Sequence, residues 1–337
     1  MPTMADVAAR AGVSVATVSR ALSGDPKQVS APALQRIIDA AEELEYIPNN
    51  LARNMRSGTA RVLGLVISDI GNPFFTAVTR GAEDVAPRHG YSLVLTSTDE
   101  NPEREAASRG VRAAERAAGI IVATTNENGT VLRRVRDMGM AIVAIDRHII
   151  DLPTDSVVVD NESAAHEAVS HLVRLGHRRI AIVGGPSDAD TARERQRGYQ
   201  RALREANIPI GPDLCCRGDF REAAALNMTR DLLDLPDPPT AIFAVNNLTT
   251  IGVLGAVRER GLKVPTDISI VGFDDIPTGE LLDPPLTVVR QPTYRVGAQA
   301  AKLLIRRLRD PSAPVREVVL AASLIVRGST GQLRASP

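Results

Sequence analysis

The chain has no tryptophan, and five phenylalanines and four tyrosines make up only 3% of its residues. Any ligand pocket is therefore expected to have few aromatic walls. Only two cysteines are present, and they are neighbours, Cys215 and Cys216. That spacing is neither a disulfide framework nor a CxxC metal or redox motif, so both are expected to be ordinary strand residues. An excess of either charge is missing too, with 40 Lys plus Arg against 40 Asp plus Glu. The balance argues against a histone-like polycation or an acidic tail protein, while leaving room for a small basic module. No apolar run approaches the roughly 18 to 20 residues of a membrane span, and the first residues lack the apolar core of a signal peptide. No membrane partner is expected, and the expected location is the cytoplasm.

Catalytic signatures are equally scarce. There is no GxxxxGK[ST] phosphate loop, no GxSxG elbow and no HExxH helix, and Gly184-Gly185-Pro186 lacks the remaining glycine of a dinucleotide fingerprint. The five histidines (His89, His148, His166, His171 and His177) show no metal-ligand spacing and are read as surface or helix-capping residues. No cofactor, no metal and no enzyme activity is expected.

What is present is an ordinary globular composition, 44% hydrophobic and 24% charged, over 337 residues. That length makes room for two or three domains. Up to about Arg61 the pattern is helical. From Arg61 to about residue 327, β-rich runs alternate with helical stretches: 61–67, 91–96, 119–123, 141–145, 179–183, 241–245 and 268–272. Continuous Val/Ile/Leu runs bounded by Gly, Asn and Asp suit parallel strands buried on both faces. The second region is therefore α/β with doubly wound sheets, and at about 265 residues it calls for two lobes. Ligands of such sheets sit beyond the carboxyl ends of the strands, so the residues just after each strand become the site candidates. No internal repeat is visible.

The N-terminal module reads as a helix-turn-helix. Thr3 and Asp6 form a capping-box pattern, Gly12 can take positive φ at the turn, and Ser14 can cap a second helix from Val15 to about Leu22. Val7, Ala8 and Ala11 face Val18, Ala21 and Leu22 across the turn. A third helix has Ser30 as its N-cap, Pro32 in its first turn, and Leu34, Ile37, Ile38, Ala41 and Leu44 on an apolar stripe. Residues 1–61 hold seven basic and six acidic residues, but four of the acids crowd the end of the third helix. If the second helix enters a major groove, Val15 and Ala16 suit thymine methyls, Arg20 can bridge guanine O6 and N7, and Thr17 and Ser19 fit phosphates. After it, Tyr46-Ile47-Pro48-Asn49 ends the third helix, and the segment to about Ser57 is too short to be helical alone.

The run from Met4 to Arg20 and the Tyr46-Ile47-Pro48-Asn49 segment resemble the DNA-binding head of the lactose- and galactose-repressor (LacI/GalR) family. The resemblance continues through Asn72-Pro73-Phe74-Phe75, Asp160-Asn161, Leu175-Gly176-His177-Arg178, Val183-Gly184-Gly185-Pro186, Val271-Gly272-Phe273-Asp274-Asp275 and Pro285-Leu286-Thr287. It implies a homodimeric transcription regulator, most naturally a repressor of a pseudo-palindromic double-stranded DNA operator, controlled by a small-molecule effector such as a sugar or sugar derivative. The implied division is a head over 1–48 in which Thr3 joins the DNA contacts, a hinge helix and linker over 49–61, and a periplasmic-binding-protein-like region over 62–330. In that region lobe 1 takes 62–160 and 291–320, lobe 2 takes 161–290 and 321–330, and the chain crosses near 160, 290 and 320.

The same resemblance places Asn50, Ala52, Arg53, Met55 and Arg56 at the DNA, with Met55 as a minor-groove wedge where the family usually has Leu. It places Phe74, Phe75, Asp146, Arg147, Thr191, Arg195, Phe220, Asn246, Asp274 and Gln291 at the effector. Asp and Asn can engage adjacent hydroxyls, Arg can present a fork of donors, and Phe220 can lie on an apolar ring face. One departure is Asn246-Asn247, where the family commonly has Asn-Asp. Two other readings are a sugar-acting enzyme with a DNA-binding head, using Asp146 or Asp274 as acid or base, and a constitutive architectural DNA binder.

Overall fold

The structure is a computed structural model, and it describes residues 2–22, 29–46, 61–101, 117–124, 129–149 and 151–333. The chain divides into two compact units, Met1–Ala60 and Arg61–Pro337. The hinge positions Asn50, Ala52, Arg53, Met55 and Arg56 lie outside the described residues.

In the first unit, α1 (Met4–Ala11) starts at a complete capping box. The Thr3 hydroxyl accepts from Asp6 N, and the Asp6 side chain accepts from Thr3 N. Gly12 then takes φ 66°, where a Cβ is unfavourable, and turns the chain. The Ser14 hydroxyl accepts from Thr17 N at 3.1 Å, opening α2 (Val15–Leu22). A third helix, α3 (Ala31–Glu43), has Ser30 at its N-cap position, but the Ser30 side chain makes no cap bond. Val7, Ala8, Ala11, Val18, Ala21, Ile37 and Ala40 form one small core. Leu34, Ala41 and Leu44 pack against this core, but Ile38 is exposed, because at 3.6 residues per turn it points about 100° away from its buried neighbour Ile37.

In the second unit, the first sheet holds β1 (Val62–Ile67), β2 (Ser92–Ser97), β3 (Gly119–Val122), β4 (Ala141–Ile145), β5 (Asp155–Val159) and β11 (Glu317–Leu320). The second holds β6 (Ile180–Gly184), β7 (Cys215–Arg217), β8 (Ala241–Ala244), β9 (Ser269–Phe273), β10 (Thr287–Arg290) and β12 (Ser323–Ile325). Their orders are β11-β5-β4-β3-β1-β2 and β12-β10-β9-β8-β6-β7. Numbered within each lobe, the two are the same winding, a repeat of topology that no sequence repeat announces. All pairings are parallel except the edge strand β12, which runs antiparallel to β10. The short strands β5, β10, β11 and β12 escape periodicity because three to five residues give too brief a pattern. Cys215 and Cys216 are β7 residues and half-buried.

The chain leaves the first sheet after β5 into α6 (Asn161–Arg174), returns after β10 into α10 (Thr293–Arg309), and passes once more between β11 and β12. Among the described residues the remaining α-helices are α4 (Pro73–Val85), α5 (Thr130–Asp137), α7 (Asp190–Glu205), α8 (Glu222–Leu233) and α9 (Asn247–Glu259). Helices α4 and α10 pack so closely that a Cβ at Gly297 would lie 1.8 Å from the Val78 carbonyl. The strands fill their sheets with buried Val, Ile and Leu, with Tyr199, Phe243 and Phe273 fully buried in the second lobe. His177 is neither a surface nor a capping residue. It is buried, with Nδ1 against Thr240 Oγ1 and Nε2 against Ser269 Oγ, both at 2.9 Å, joining strand starts of the second lobe to its C-terminal segment.

Candidate functional site

Two groups of residues stand out, one in each unit. On α2, Val18 and Ala21 turn inward, which leaves Val15, Ala16, Ser19 and Arg20 exposed on the other face. Thr17 is half-buried, and its hydroxyl lies 2.8 Å from that of Ser14, while the Thr3 hydroxyl serves the capping box. Val15 does not pack into the core. Nearly half of it is open to solvent.

The second group lies between the lobes. Each sheet presents the loops beyond its strand ends to one cavity between the lobes, the place where ligands of such sheets bind. After β1, the Asn72 side chain accepts from Phe74 N at 2.9 Å and starts α4 with Pro73 at the first helical position. This aims Phe74 and Phe75 at the cavity, edge to face at 4.9 Å. After β4 come Asp146 and Arg147. Asp190 and the buried Thr191 open α7, whose Arg195 reaches inward one turn later. Phe220 follows β7, and its ring lies over Gly185, where a Cβ would come within 2.2 Å. Asn246 follows β8, Asp274 follows β9, and Gln291 sits at the crossing after β10.

All ten of the effector positions expected from the sequence line this cavity, joined by Asp69, Asn72, Glu100, Asp219, Arg221 and Leu248. Three of the chain's five phenylalanines are in its wall. The expectation of few aromatic walls is thus overturned, because the scarce aromatics are concentrated here. Asp146, Phe220 and Asp274 hold φ of 65°, 65° and 68°, and Glu100 holds 50°. Strained non-glycine backbone of this kind persists where the surroundings enforce it, and it gathers at functional sites.

The polar groups are mostly engaged with one another. Asp274 accepts from Gln291 Nε2 at 2.6 Å. Arg195 donates through Nε to Asn161 Oδ1, at 2.8 Å, and through Nη1 to the Val245 carbonyl, while its guanidinium stacks 3.8 Å from the centre of the Phe273 ring. Asn246 caps α9 by accepting from Thr249 N and donates to the Phe220 carbonyl. The Arg147 fork is not offered to the cavity. It grips Glu100 at 2.8 and 3.0 Å and the Thr124 carbonyl at 3.2 Å, and Arg147 lies 5.5 Å from the Phe220 ring centre. Its Nε is buried without a hydrogen-bond partner, 3.6 Å from Asp146 Oδ2. Burial pushes the Asp146 carboxyl up to about 6, against the pull of Arg147 and Arg195. Asp274 is raised by burial as well, with Arg195 and Gln291 opposing.

Several contacts span the lobes. Arg221 of lobe 2 donates at 2.9 Å to both the carbonyl and Oδ1 of Asp99 in lobe 1. His148 N and Nδ1 lie 2.8 and 3.1 Å from Asp190 Oδ2, and Asn247 Nδ2 donates to Asn72 Oδ1 at 2.8 Å. The six wall residues missed by sequence reading all lie near strand ends or beside Phe220. The rule that sites follow strand ends, applied at every strand, reaches Asp69, Asn72 and Glu100. Their pairing with Arg147 and Asn247 is visible only in three dimensions. Among the described residues no helix is long and apolar enough to cross a membrane, and no group of three or more His, Cys, Asp or Glu is placed to hold a metal ion.

Comparison with known proteins bears on the family and the fold. Residues 3–49 match the profile of bacterial regulatory proteins of the lacI family, and residues 169–330 match that of the periplasmic binding protein-like domain. The chain is 35% identical over 98% of its length to the transcriptional repressor CytR of Escherichia coli strain K12, covering 97% of that protein. It is 33% identical to the transcriptional regulator DegA of Bacillus subtilis, with 98% of both chains covered. Among solved structures, the lac repressor dimer bound to operator and the anti-inducer ONPF matches with a TM-score of 0.84 at 26% identity, covering 98% of this chain and 99% of that one. The complex of the regulator CelR with cellobiose matches with a TM-score of 0.74 at 30% identity, covering 98% and 100%.

Proposed function

The chain belongs to the LacI family of bacterial regulatory proteins and is a DNA-binding transcriptional regulator, and from that premise we propose which of its residues read the operator and which hold the effector. The observation that carries the proposal is the convergence of ten separately placed residues, from both lobes, on one interlobe cavity. A hydroxyl-rich small molecule, a sugar or a sugar derivative such as a nucleoside, meets acceptors at Asp146 and Asp274, a donor at Arg147 Nε, and ring faces at Phe74, Phe75 and Phe220. Relatives support that ligand class, one of them having been solved with cellobiose.

On the DNA side, Arg20 with Val15 and Ala16 contacts base edges, and Thr17, Ser19 and Thr3 sit toward phosphates. A homodimer reads a pseudo-palindromic operator in the cytoplasm, since operator symmetry mirrors protein symmetry. The proposed division is a head over 1–48, a connector over 49–61 carrying Asn50, Ala52, Arg53, Met55 and Arg56 to the DNA, and an effector region over 62–330. Effector binding changes the angle between lobes, and this is coupled to operator affinity, by typically about 1 to 3 kcal/mol. Effector-coupled operator binding is tested by titrating the protein onto a labelled duplex pool at fixed salt, with and without compounds that raise its melting temperature. Equal affinity for all duplexes, or an affinity indifferent to every stabilising compound, defeats it.

A further inference from the structure

The charge in the cavity wall is one-sided. Among the described lining residues are five carboxylates, Asp69, Glu100, Asp146, Asp219 and Asp274, and three guanidinium groups, Arg147, Arg195 and Arg221. None of the three arginines turns its whole fork toward a ligand. Arg147 grips Glu100 through both terminal nitrogens, Arg195 is held by Asn161 and Val245, and Arg221 reaches across to Asp99. What the wall leaves without a hydrogen bond is of a different kind. Among the described residues nothing donates a hydrogen bond to the carboxylate of Asp146, 11% exposed, and 3.6 Å from its Oδ2 lies the Nε of Arg147, itself buried without a hydrogen-bond partner. A hydroxyl meets both needs, since it donates to the carboxylate and accepts from Nε. A phosphate group cannot donate to Asp146 when fully ionised, and it finds its natural bidentate partner already taken.

We infer that Glu100, by clamping Arg147 and adding a negative charge to the wall, makes the cavity select electrically neutral, hydroxyl-rich ligands and reject their phosphate esters. The inference rests on the effector-cleft reading and deepens it, naming both a ligand class and a residue that sets it. Glu100 works by repulsion and by occupation. Specificity of this type comes from what is built against the wrong ligand as much as from what fits the right one. Each like-charge pair within about 5 Å, at an effective dielectric of about 20, weighs against binding by on the order of 100-fold.

The test titrates the full chain calorimetrically with matched pairs: ribose and ribose 5-phosphate, glucose and glucose 6-phosphate, cytidine and cytidine 5′-monophosphate. Wherever the neutral member binds, its ester is expected to bind at least ~100-fold more weakly at pH 7.5. Glu100→Gln keeps a hydrogen-bonding side chain but frees Arg147 from its ion pair, and it should narrow that ratio by about tenfold or more, chiefly by tightening the ester. Glu162→Gln removes a charge from the surface of α6 and should leave the ratio unchanged. If Glu100→Gln fails to fold, Asp219→Asn, at an exposed position of the same wall, should narrow the ratio in the same direction. An ester bound as tightly as its neutral partner, or a ratio indifferent to both wall variants, overturns the inference while the effector cleft stands. Silence from both members of every pair, against a wider set of compounds that do raise the melting temperature, also overturns it, and silence from everything overturns the cleft itself.

Discussion

Asn247 Nδ2 donates to Asn72 Oδ1 at 2.8 Å, one residue from each lobe, at a position where Asn247 is fully buried. The same Asn72 oxygen accepts from Phe74 N to start α4, and Asn247 Oδ1 accepts from Leu248 N. One amide therefore donates to the other across the cleft without a charge. The family commonly carries an acid where Asn247 stands, so here the seam between lobes is neutral where a carboxylate would face an oxygen. That supplies a structural sense for a departure that the sequence could only register.

Asn247→Asp should destabilise the second unit. The substitution removes the donor and sets an acceptor against Asn72 Oδ1, and flipping Asn72 sacrifices its cap bond to Phe74 N. A cost of about 1 to 3 kcal/mol is expected for the unmet pair. Urea denaturation at neutral pH measures it. A variant as stable as the parent would show that the interlobe bond contributes nothing.

Effector affinity should rise with pH through the range around 6. Asp146 is held up to about 6 by burial, and its ionised form is the better acceptor for ligand hydroxyls. Below that value binding must expel a proton, so affinity should fall by up to about tenfold per pH unit. Asp274 is shifted in the same direction, so Asp146→Asn should lessen the dependence without erasing it. Titrations of a stabilising compound from pH 5 to 7.5 decide the matter, and a flat profile in the parent would remove Asp146 from contact.

A different pH effect belongs to His148. Its hydrogen bond to Asp190, chiefly, raises it to about 9 against the opposing effect of burial, with Asp190, Glu317 and Glu194 adding charge attraction. A group whose pKa rises on folding stabilises fully below its unfolded value, near 6.5, and loses that stabilisation as pH climbs toward 9. The melting temperature should therefore decline between pH 6.5 and 9 more steeply in the parent than in His148→Gln. The side chain is 40% exposed, so the difference should be modest and should shrink at high salt. Parallel curves would contradict an interlobe role for this pair.

Arg20→Ala should relax sequence preference at one base pair of each half-site, by about 1 to 3 kcal/mol of discrimination. Binding to randomised operators, followed by sequencing of the bound fraction, reads this out. Uniform weakening on all sequences would assign Arg20 to phosphate contact instead.

The sequence alone carried the helix-turn-helix, since its signals are local. Thr3 and Asp6, Gly12 and Ser14 act over three or four residues, and each acts in the structure as its spacing implies. It also carried the α/β character, because buried parallel strands need unbroken apolar runs, and it pointed to strand ends as the place of the cavity. Much of the site legible there came from resemblance; the strand-end rule, carried to every strand, also leads to Asp69, Asn72 and Glu100.

What the tertiary structure alone decided is who meets whom. Glu100 and Arg147 are 47 positions apart and Asn72 and Asn247 are 175, and no periodicity encodes such pairings. His177 illustrates the same limit, for it reads as a polar surface residue until the strands of the second lobe and the C-terminal segment close over it. Local patterns register the cost of exposing apolar groups and leaving backbone ends uncapped. Which charges are cancelled and which donors stay open depends on distances that exist only once the two sheets have been wound and the chain has crossed between them.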